Sequence, residues 1–305
     1  MPQDTSTVLV IGASGFVGRQ LVRRLLADGR RVRCLARDRT RVQDLAQSGC
    51  EVVEGDILNP ASVASALESV RAAYICIHTL SPQGASSSGQ DFMDVEKTGV
   101  QNIASACQRS EVRRLIYLTS IGVAPDASSA WLRGRSQTEQ ILFDSGLDVS
   151  VIRPGMIVGR GGTGFDAIIR GARRPVAMVL GNGRQKFRTI AVDDVVYYLV
   201  GVLDDPRSFG HHYDVGSDDV LTTGQMIDLA AEHLGRGHPF KIHVPSTPLG
   251  LAGPLIERAT TLPRGSMKGF VDSLRIDMTG DPTALRTILR RPPQPYRQAM
   301  ERALS

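Results

Sequence analysis

The run at 8–18, Val8-Leu9-Val10-Ile11-Gly12-Ala13-Ser14-Gly15-Phe16-Val17-Gly18, constrains the fold more than any other stretch of the chain. Its four aliphatic residues show no polar alternation, so the strand they form is buried on both faces, as strands of parallel sheets are. A turn with glycine at every third position follows, and then a helix opens at Arg19-Gln20-Leu21. Such a turn lets an anion approach the backbone where a Cβ would block it. The helix N-terminus adds unpaired N–H groups and a partial positive charge. The spacing is Gly-x-x-Gly-x-x-Gly rather than Gly-x-Gly-x-x-Gly, and glycine-rich turns also serve plain packing. The reading is that Gly12, Ser14, Gly15, Phe16, Val17 and Gly18 receive the pyrophosphate of a dinucleotide.

The rest of the first half alternates strand and helix. Hydrophobic periodicity predicts strands at 8–11, 31–36, 50–54, 73–77, 114–118 and 148–152. Helical patterns fall between them at 16–27, 40–47, 61–67, 92–108 and 132–143. Regular β-α-β alternation with aliphatic strands predicts an α/β protein of the Rossmann kind, a doubly wound parallel sheet covered on both faces. After Gly155 the alternation weakens and glycine and proline multiply. The expected division is a dinucleotide-binding core at 1–155 and a smaller, mostly helical substrate lobe at 156–305. Parts of 187–217 are expected to return to the core, with 187–196 as strand into helix and 212–215 as a strand. The serine- and glycine-rich segment 80–90 follows the fourth strand and reads as a connector or a flap over the ligand edge.

Bulk properties exclude several classes of function. The 305 residues are 42% hydrophobic and 22% charged, within the range of ordinary globular proteins. The formal charge is +5, but the basic residues are scattered, without a helix-turn-helix, zinc-ligand spacing or aromatic-basic strip. No nucleic-acid partner and no metal are therefore expected. Cys34, Cys50, Cys76 and Cys107 lack disulfide or metal spacing and read as small buried hydrophobes in a reducing compartment. The first seven residues are polar, and the greasiest late stretch, 247–256, is interrupted by Pro248 and Pro254. The expectation is a cytoplasmic protein without a membrane span. Its oligomeric state is left open.

In a doubly wound sheet the ligand lies beyond the carboxyl ends of the strands. After the second strand comes Arg37-Asp38. A carboxylate directed at the ribose would favour NAD by accepting from the 2′-hydroxyl, whereas an arginine there holds a 2′-phosphate. With Arg37 at the tip and Asp38 pointing away, the cofactor expected is NADP, with NAD as the alternative. Asp56 could accept from the adenine amino group while Ile57 covers the ring, or Asp56 could simply cap its own turn. His78, past the fourth strand, would stand beside the pyrophosphate or the nicotinamide ribose, or serve as a hydrogen-bonded structural residue.

Taken together, the Gly12–Gly18 turn, Gly55-Asp56, Tyr117-Leu118-Thr119-Ser120, Ile152-Arg153-Pro154-Gly155 and Ile190-Ala191-Val192-Asp193-Asp194-Val195 resemble a known family. The chain is similar to atypical and extended short-chain dehydrogenases/reductases, in particular the NmrA-like and complex-I accessory-subunit-like branch of NAD(P)-binding proteins. The resemblance implies that Thr119 and Ser120 end the fifth strand at the nicotinamide and that Pro154 fixes the backbone there. It also implies a Tyr-x-x-x-Lys pair at the start of the next helix. This sequence has Trp131 and Arg135 instead. An indole N–H donates a hydrogen bond but delivers no proton at ordinary pH. Arg135 could still grip ribose hydroxyls. Glu139, one turn further on, reads as its surface partner.

Three functions are compatible with these residues. The first is an NADP-dependent reductase of a carbonyl, quinone or enone, with Ser120 polarising the substrate and Trp131 and Arg135 replacing the usual pair. Its substrate would be an apolar or aromatic small molecule, and Met156, Phe165, Met178, Phe187, Leu249, Leu251, Leu255 and Met267 are available to line a pocket. The second is a redox-silent NADP(H)-binding regulatory or assembly protein. The third is a non-redox enzyme, an isomerase or cyclase, on the same fold. Fold alone does not choose among them.

Overall fold

The computed structural model describes residues 6–77, 91–245 and 265–305. Its central sheet has seven strands, all parallel, in the order β10-β6-β5-β4-β1-β2-β3. These are β1 (Thr7–Ile11), β2 (Arg31–Ala36), β3 (Glu51–Glu54), β4 (Val70–Ile75), β5 (Arg114–Leu118), β6 (Asp148–Pro154) and β10 (His211–Val215). Strand order reverses between β1 and β4, which opens a crevice at their carboxyl ends. The α/β doubly wound fold expected from the alternation is the fold observed.

Alternation of side chains along β1 explains the two-sided core. Val8 and Val10 enter one apolar cluster with α1 (Phe16–Ala27) and α7 (Val192–Gly201). Leu9 and Ile11 enter the other, with α3 (Pro60–Ala66) and α4 (Phe92–Gln108). A strand buried on both faces has no room for polar residues, hence the unbroken aliphatic run. Between β2 and β3 a 3-10 turn at Arg39–Val42 leads into α2 (Gln43–Gln47), so the helix read at 40–47 is broken in two. Cys34 and Cys50 meet in this region, sulfur to sulfur at 2.8 Å, and all four cysteines are buried.

The later residues add β7 (Met156–Val158), α6 (Thr163–Ala172), β8 (Val176–Leu180), β9 (Lys186–Ala191), β11 (Val220–Thr222), α8 (Thr223–His233) and β12 (Phe240–Val244). Three more helices follow, α9 (Ser266–Ser273), α10 (Thr283–Ile288) and α11 (Tyr296–Leu304). β11, β9 and β7 form a small sheet, β12 pairs with β8 in another, and a third apolar cluster lies beneath them. Among the described residues beyond 222 the chain is mostly helical as expected, and β12 is a strand that the reading did not include. Its five residues, Phe240–Val244, are too few for their period to declare a strand, and pairing with β8 settles it. α5 (Ala130–Phe143) begins two residues earlier than its periodicity suggested, so Trp131 lies in its first turn.

Candidate functional site

The glycine turn caps the crevice between β1 and β4. Gly12 has φ +92°, and a Cβ there would strike the carbonyl oxygen of Cys76. The Gly15 N–H donates to the Gly12 carbonyl at 3.0 Å, and a Cβ on Gly18 would collide with that same carbonyl. Three different demands therefore fix the three glycines: a left-handed angle, a tight turn, and close packing of the helix on the strand end. Gly15 is the N-cap of α1, with no side-chain cap and no acidic residue in the first turn. The first N–H groups of α1 thus lack an intramolecular anion, and a pyrophosphate could take that place.

The side chains around the turn have separate tasks. Val17 is buried in the core, and Ser14 is half-buried in the turn itself. The Phe16 ring lies across the 159–162 loop, where a Cβ on Gly162 would come within 3.0 Å of it. Phe16 could offer its backbone N–H to a ligand while its ring ties the turn to the substrate side.

At the tip of β2, Arg37 is exposed and Asp38 is occupied elsewhere. The Asp38 carboxylate accepts from the Thr40 N–H at 2.9 Å and from the Thr40 hydroxyl at 2.6 Å. Those two hydrogen bonds, to the hydroxyl first and the backbone second, hold its pKa below the usual carboxylate range. After β3, Asp56 Oδ1 accepts from the Leu58 N–H at 2.9 Å, which is the turn-capping role. The Ile57 side chain rests against Gly99 of α4, and its carbonyl accepts from Asn102 at 2.9 Å. Ile57 therefore stands at the rim as part of the α4 packing. His78 and the segment 80–90 lie outside the described residues.

Past β5 the geometry departs from a simple reading of the sequence. Thr119 is buried, and its hydroxyl donates to Glu139 Oε1 at 2.7 Å. Glu139 is itself buried and forms a salt bridge with Arg153 through Nε at 3.1 Å and through the terminal nitrogen. The expected surface pair of Glu139 with Arg135 is thus corrected. Both residues face the sheet, because α5 presents that side to β5 and β6, and each finds a different partner.

Arg135 Nε lies 3.1 Å from Glu96 Oε1 of α4, at 2% and 0% side-chain exposure. Arg135 also donates to the Ile77 carbonyl at 3.1 Å, at the end of β4, and its guanidinium sits 5.1 Å from the Trp131 ring centre. Glu96 further accepts from the Tyr117 hydroxyl at 2.5 Å. Burial first, and the Glu96 charge second, push the Tyr117 phenol well above its ordinary range, so it stays protonated within the core. Arg135 reaches the floor of the crevice with its charge already neutralised by Glu96.

Ser120 differs from these neighbours. Its Oγ is buried and has no hydrogen-bond partner among the described residues. Thr119 and Ile121 extend the β5–β6 ladder by donating to Ile152 and Pro154, which fixes Ser120 between two pinned amides and places buried Pro154 beside it. A buried hydroxyl left without a partner is energetically unfavourable, and a ligand oxygen would relieve it.

Two residues on from Ser120, a Cβ on Gly122 would lie 3.4 Å from Leu132, which packs in a small apolar cluster with Val123 and Trp131, flanked by Met93, Ala127, Ile276 and Met278. The segment carrying Met278 is held on β9, since the Arg188 N–H donates to Met278 O and the Met278 N–H to Lys186 O, each at 2.8 Å. Met93, Ile276 and Met278 were not legible as wall residues, because nothing local in the sequence joins α4 and the 276–278 segment to α5. Of the expected lining residues, Phe165 is fully buried in the third core cluster and Met178 is exposed on β8, so neither lines a pocket. Met156 and Phe187 pack partly buried against that cluster, Met267 is half-buried beside α9, and Leu249, Leu251 and Leu255 lie outside the described residues.

The parallel sheet, the switch-point crevice and the glycine turn define a dinucleotide-binding protein. A family model described as NAD(P)H-binding matches residues 12–206, and the chain belongs to that family. It is 28% identical over 147 residues to the photosystem II assembly factor Ycf39 of Cyanophora paradoxa, covering 48% of this chain and 44% of that protein. It is 25% identical over 295 residues, 95% of each chain, to the (4-alkanoyl-5-oxo-2,5-dihydrofuran-3-yl)methyl phosphate reductase of Streptomyces griseus. The chain spans about half the length of several curated relatives it matches. Among solved structures it resembles an NADPH-dependent quinone oxidoreductase of Escherichia coli complexed with NADPH, with a TM-score of 0.75 and 16% identity. That alignment covers 98% of this chain and 100% of the other. These relatives and folds are of the extended, NmrA-like short-chain dehydrogenase/reductase type that the motifs resemble. Among the described residues no helix is long and apolar enough to cross a membrane.

Proposed function

We propose that the protein is an NADPH-dependent reductase of an apolar carbonyl, quinone or enone that works without a catalytic tyrosine. The observation that carries this reading is the buried, unpartnered Ser120 hydroxyl at the carboxyl end of β5, two residues before the Gly122 turn that abuts Leu132 of the Trp131 cluster. Gly12, Ser14, Gly15, Phe16, Val17 and Gly18 would hold the pyrophosphate, Arg37 the 2′-phosphate, and Asp56 and Ile57 the adenine side. Thr119, Arg135 and Pro154 would shape the nicotinamide end, with Arg135 acting through its fixed position at Ile77 rather than as a free cation.

When bound, the nicotinamide supplies the hydride. The chain's own part is to orient and polarise. Ser120 donates to the substrate oxygen, where negative charge grows as the hydride arrives. One such donor contributes about 10²–10³ in rate in other enzymes. Met93 and Met278, half-buried at the edge of the Trp131 cluster, would present an apolar wall to the substrate. The Ser120 hydroxyl donates a hydrogen bond but is not itself a titrating acid, so the final proton is assigned to water, which suits quinones and enones.

The test is NADPH oxidation followed at 340 nm with a panel of quinones, enones and ketones. Turnover that survives Trp131→Phe and falls about 100-fold in Ser120→Ala, with unchanged NADPH affinity, supports the reading. A second reading, a redox-silent NADP(H)-binding regulatory or assembly protein, is favoured by one feature: Glu96 and the Ile77 carbonyl already engage the arginine that replaces lysine. NADPH binding without oxidation across the whole panel would establish that reading instead.

A further inference from the structure

The small β8–β12 sheet has its polarity turned outward. The large exposed apolar side chains among the described residues are Val176 (42%), Met178 (67%), Leu180 (36%), Phe240 (72%) and Ile242 (47%). All five lie on this sheet at alternate positions. The parallel register sets Phe240 opposite Val176, Ile242 opposite Met178 and Val244 opposite Leu180, so the six form one continuous face. On β8 the intervening Ala177 and Val179 are buried in the third core cluster, as an edge sheet requires. Of the two intervening residues on β12, Lys241 turns inward and pairs with Asp228 of α8 at 2.6 Å, and His243 is exposed with its ring against Gly183. β12 therefore puts a lysine towards the protein and a phenylalanine and an isoleucine towards the surroundings. A one-residue slip would bury the apolar pair, and the Lys241–Asp228 bridge opposes it.

The ends of this face are basic. Arg173 and Arg174 immediately precede β8 and Arg184 follows it, all three exposed and without an ion pair among the described residues. The nearby acids Asp228 and Glu232 are engaged, by Lys241 and by His238 and Arg297. Asp272 and Asp277 stand near the Arg184 end, where Asp277 accepts from the Lys186 N–H at 2.9 Å, and with Lys186 and the three arginines counted the charge around the face stays positive.

We propose that the outer face of the β8–β12 sheet docks the protein on an anionic lipid bilayer. Val176, Met178, Leu180, Phe240 and Ile242 enter the acyl boundary, and Arg173, Arg174 and Arg184 lie at the phosphate level. An apolar patch with a rim of one charge sign fits such a surface. A second copy of the chain fits less well. Six side chains fall far short of the roughly 20–30 residues a side that a stable dimer uses, and like charges would face each other. The proposal does not depend on the reductase reading.

The full-length protein should co-sediment with mixed phosphatidylcholine–phosphatidylglycerol vesicles and only weakly with phosphatidylcholine alone. The Met178→Asp/Phe240→Asp variant should lose at least about tenfold in partitioning. Replacing Arg173, Arg174 and Arg184 by glutamine should lose about 100-fold, since each arginine near an anionic surface contributes about fivefold. Melting temperatures without lipid should be unchanged in both. The proposal is overturned if the wild type ignores mixed vesicles, or binds neutral ones equally well. A lipid-free dimer that Met178→Asp/Phe240→Asp dissociates would assign the face to a second copy. A lowered melting temperature of that variant would show that the chain itself covers the face.

Discussion

Replacing Arg37 by alanine isolates the interaction that sets cofactor choice. Arg37 stands exposed at the end of β2, and the adjacent Asp38 is turned back onto Thr40 by bonds of 2.9 and 2.6 Å. Both bonds engage the same oxygen, Oδ1, and turn the carboxylate back onto its own turn, so NADH is expected to gain little from Asp38 and the 2′-phosphate of NADPH to be met by the Arg37 guanidinium. Hydrogen bonds to charged groups contribute about 1.5–3 kcal/mol, or about 10- to 150-fold in affinity. Exposure and salt pull the figure toward the lower end. Titration of NADPH and NADH by fluorescence should therefore show NADPH weakened at least about tenfold and NADH by less than about threefold. The preference of the wild type should shrink as salt is raised, and Asp38→Asn should leave NADH affinity unchanged. Equal losses of both nucleotides in Arg37→Ala, or a tenfold loss of NADH in Asp38→Asn, would refute the reasoning.

Two further outcomes follow from the buried charges. Arg135→Met removes the counter-charge of fully buried Glu96 and leaves it the Tyr117 hydroxyl, a loss of about 3–5 kcal/mol that calorimetry would read as a lower melting temperature. Adding Glu96→Leu should recover much of the loss, and no recovery would mean that packing rather than charge holds the site. Asp214 on β10 has one carboxylate oxygen buried without a hydrogen-bond partner among the described residues, and burial raises its pKa. A raised pKa in the folded state means that stability is fully present below the unfolded value and is lost as pH rises through the folded one. Asp214→Asn should accordingly raise the melting temperature at neutral pH, with the gain shrinking as pH falls towards the ordinary aspartate range. A gain independent of pH would contradict this.

The parallel sheet was legible because burial on both faces forces an aliphatic run on β1 and apolar-rich runs on β5 and β6, and short connections leave little topological choice. The glycine turn was legible because its positions answer to backbone geometry, which local sequence encodes. The partners of Arg135 and Glu139 were not. The helical spacing that suggested an i, i+4 pair on α5 is the same for an exposed and a buried face, and only the packing of α4 and β6 against α5 brings Glu96 and Arg153 within reach. β12 was missed for a related reason: its outward apolar residues imitate a buried pattern, and five residues are too few to separate strand from helix by period alone.

Isothermal calorimetry with NADPH, on wild type and Gly12→Val, tests most directly whether the turn at Gly12–Gly18 holds a dinucleotide. Saturable binding to the wild type is expected, together with its loss in a variant whose added side chain meets the Cys76 carbonyl. Absence of any heat of binding with NADPH, NADP, NADH or NAD at millimolar nucleotide would contradict the account.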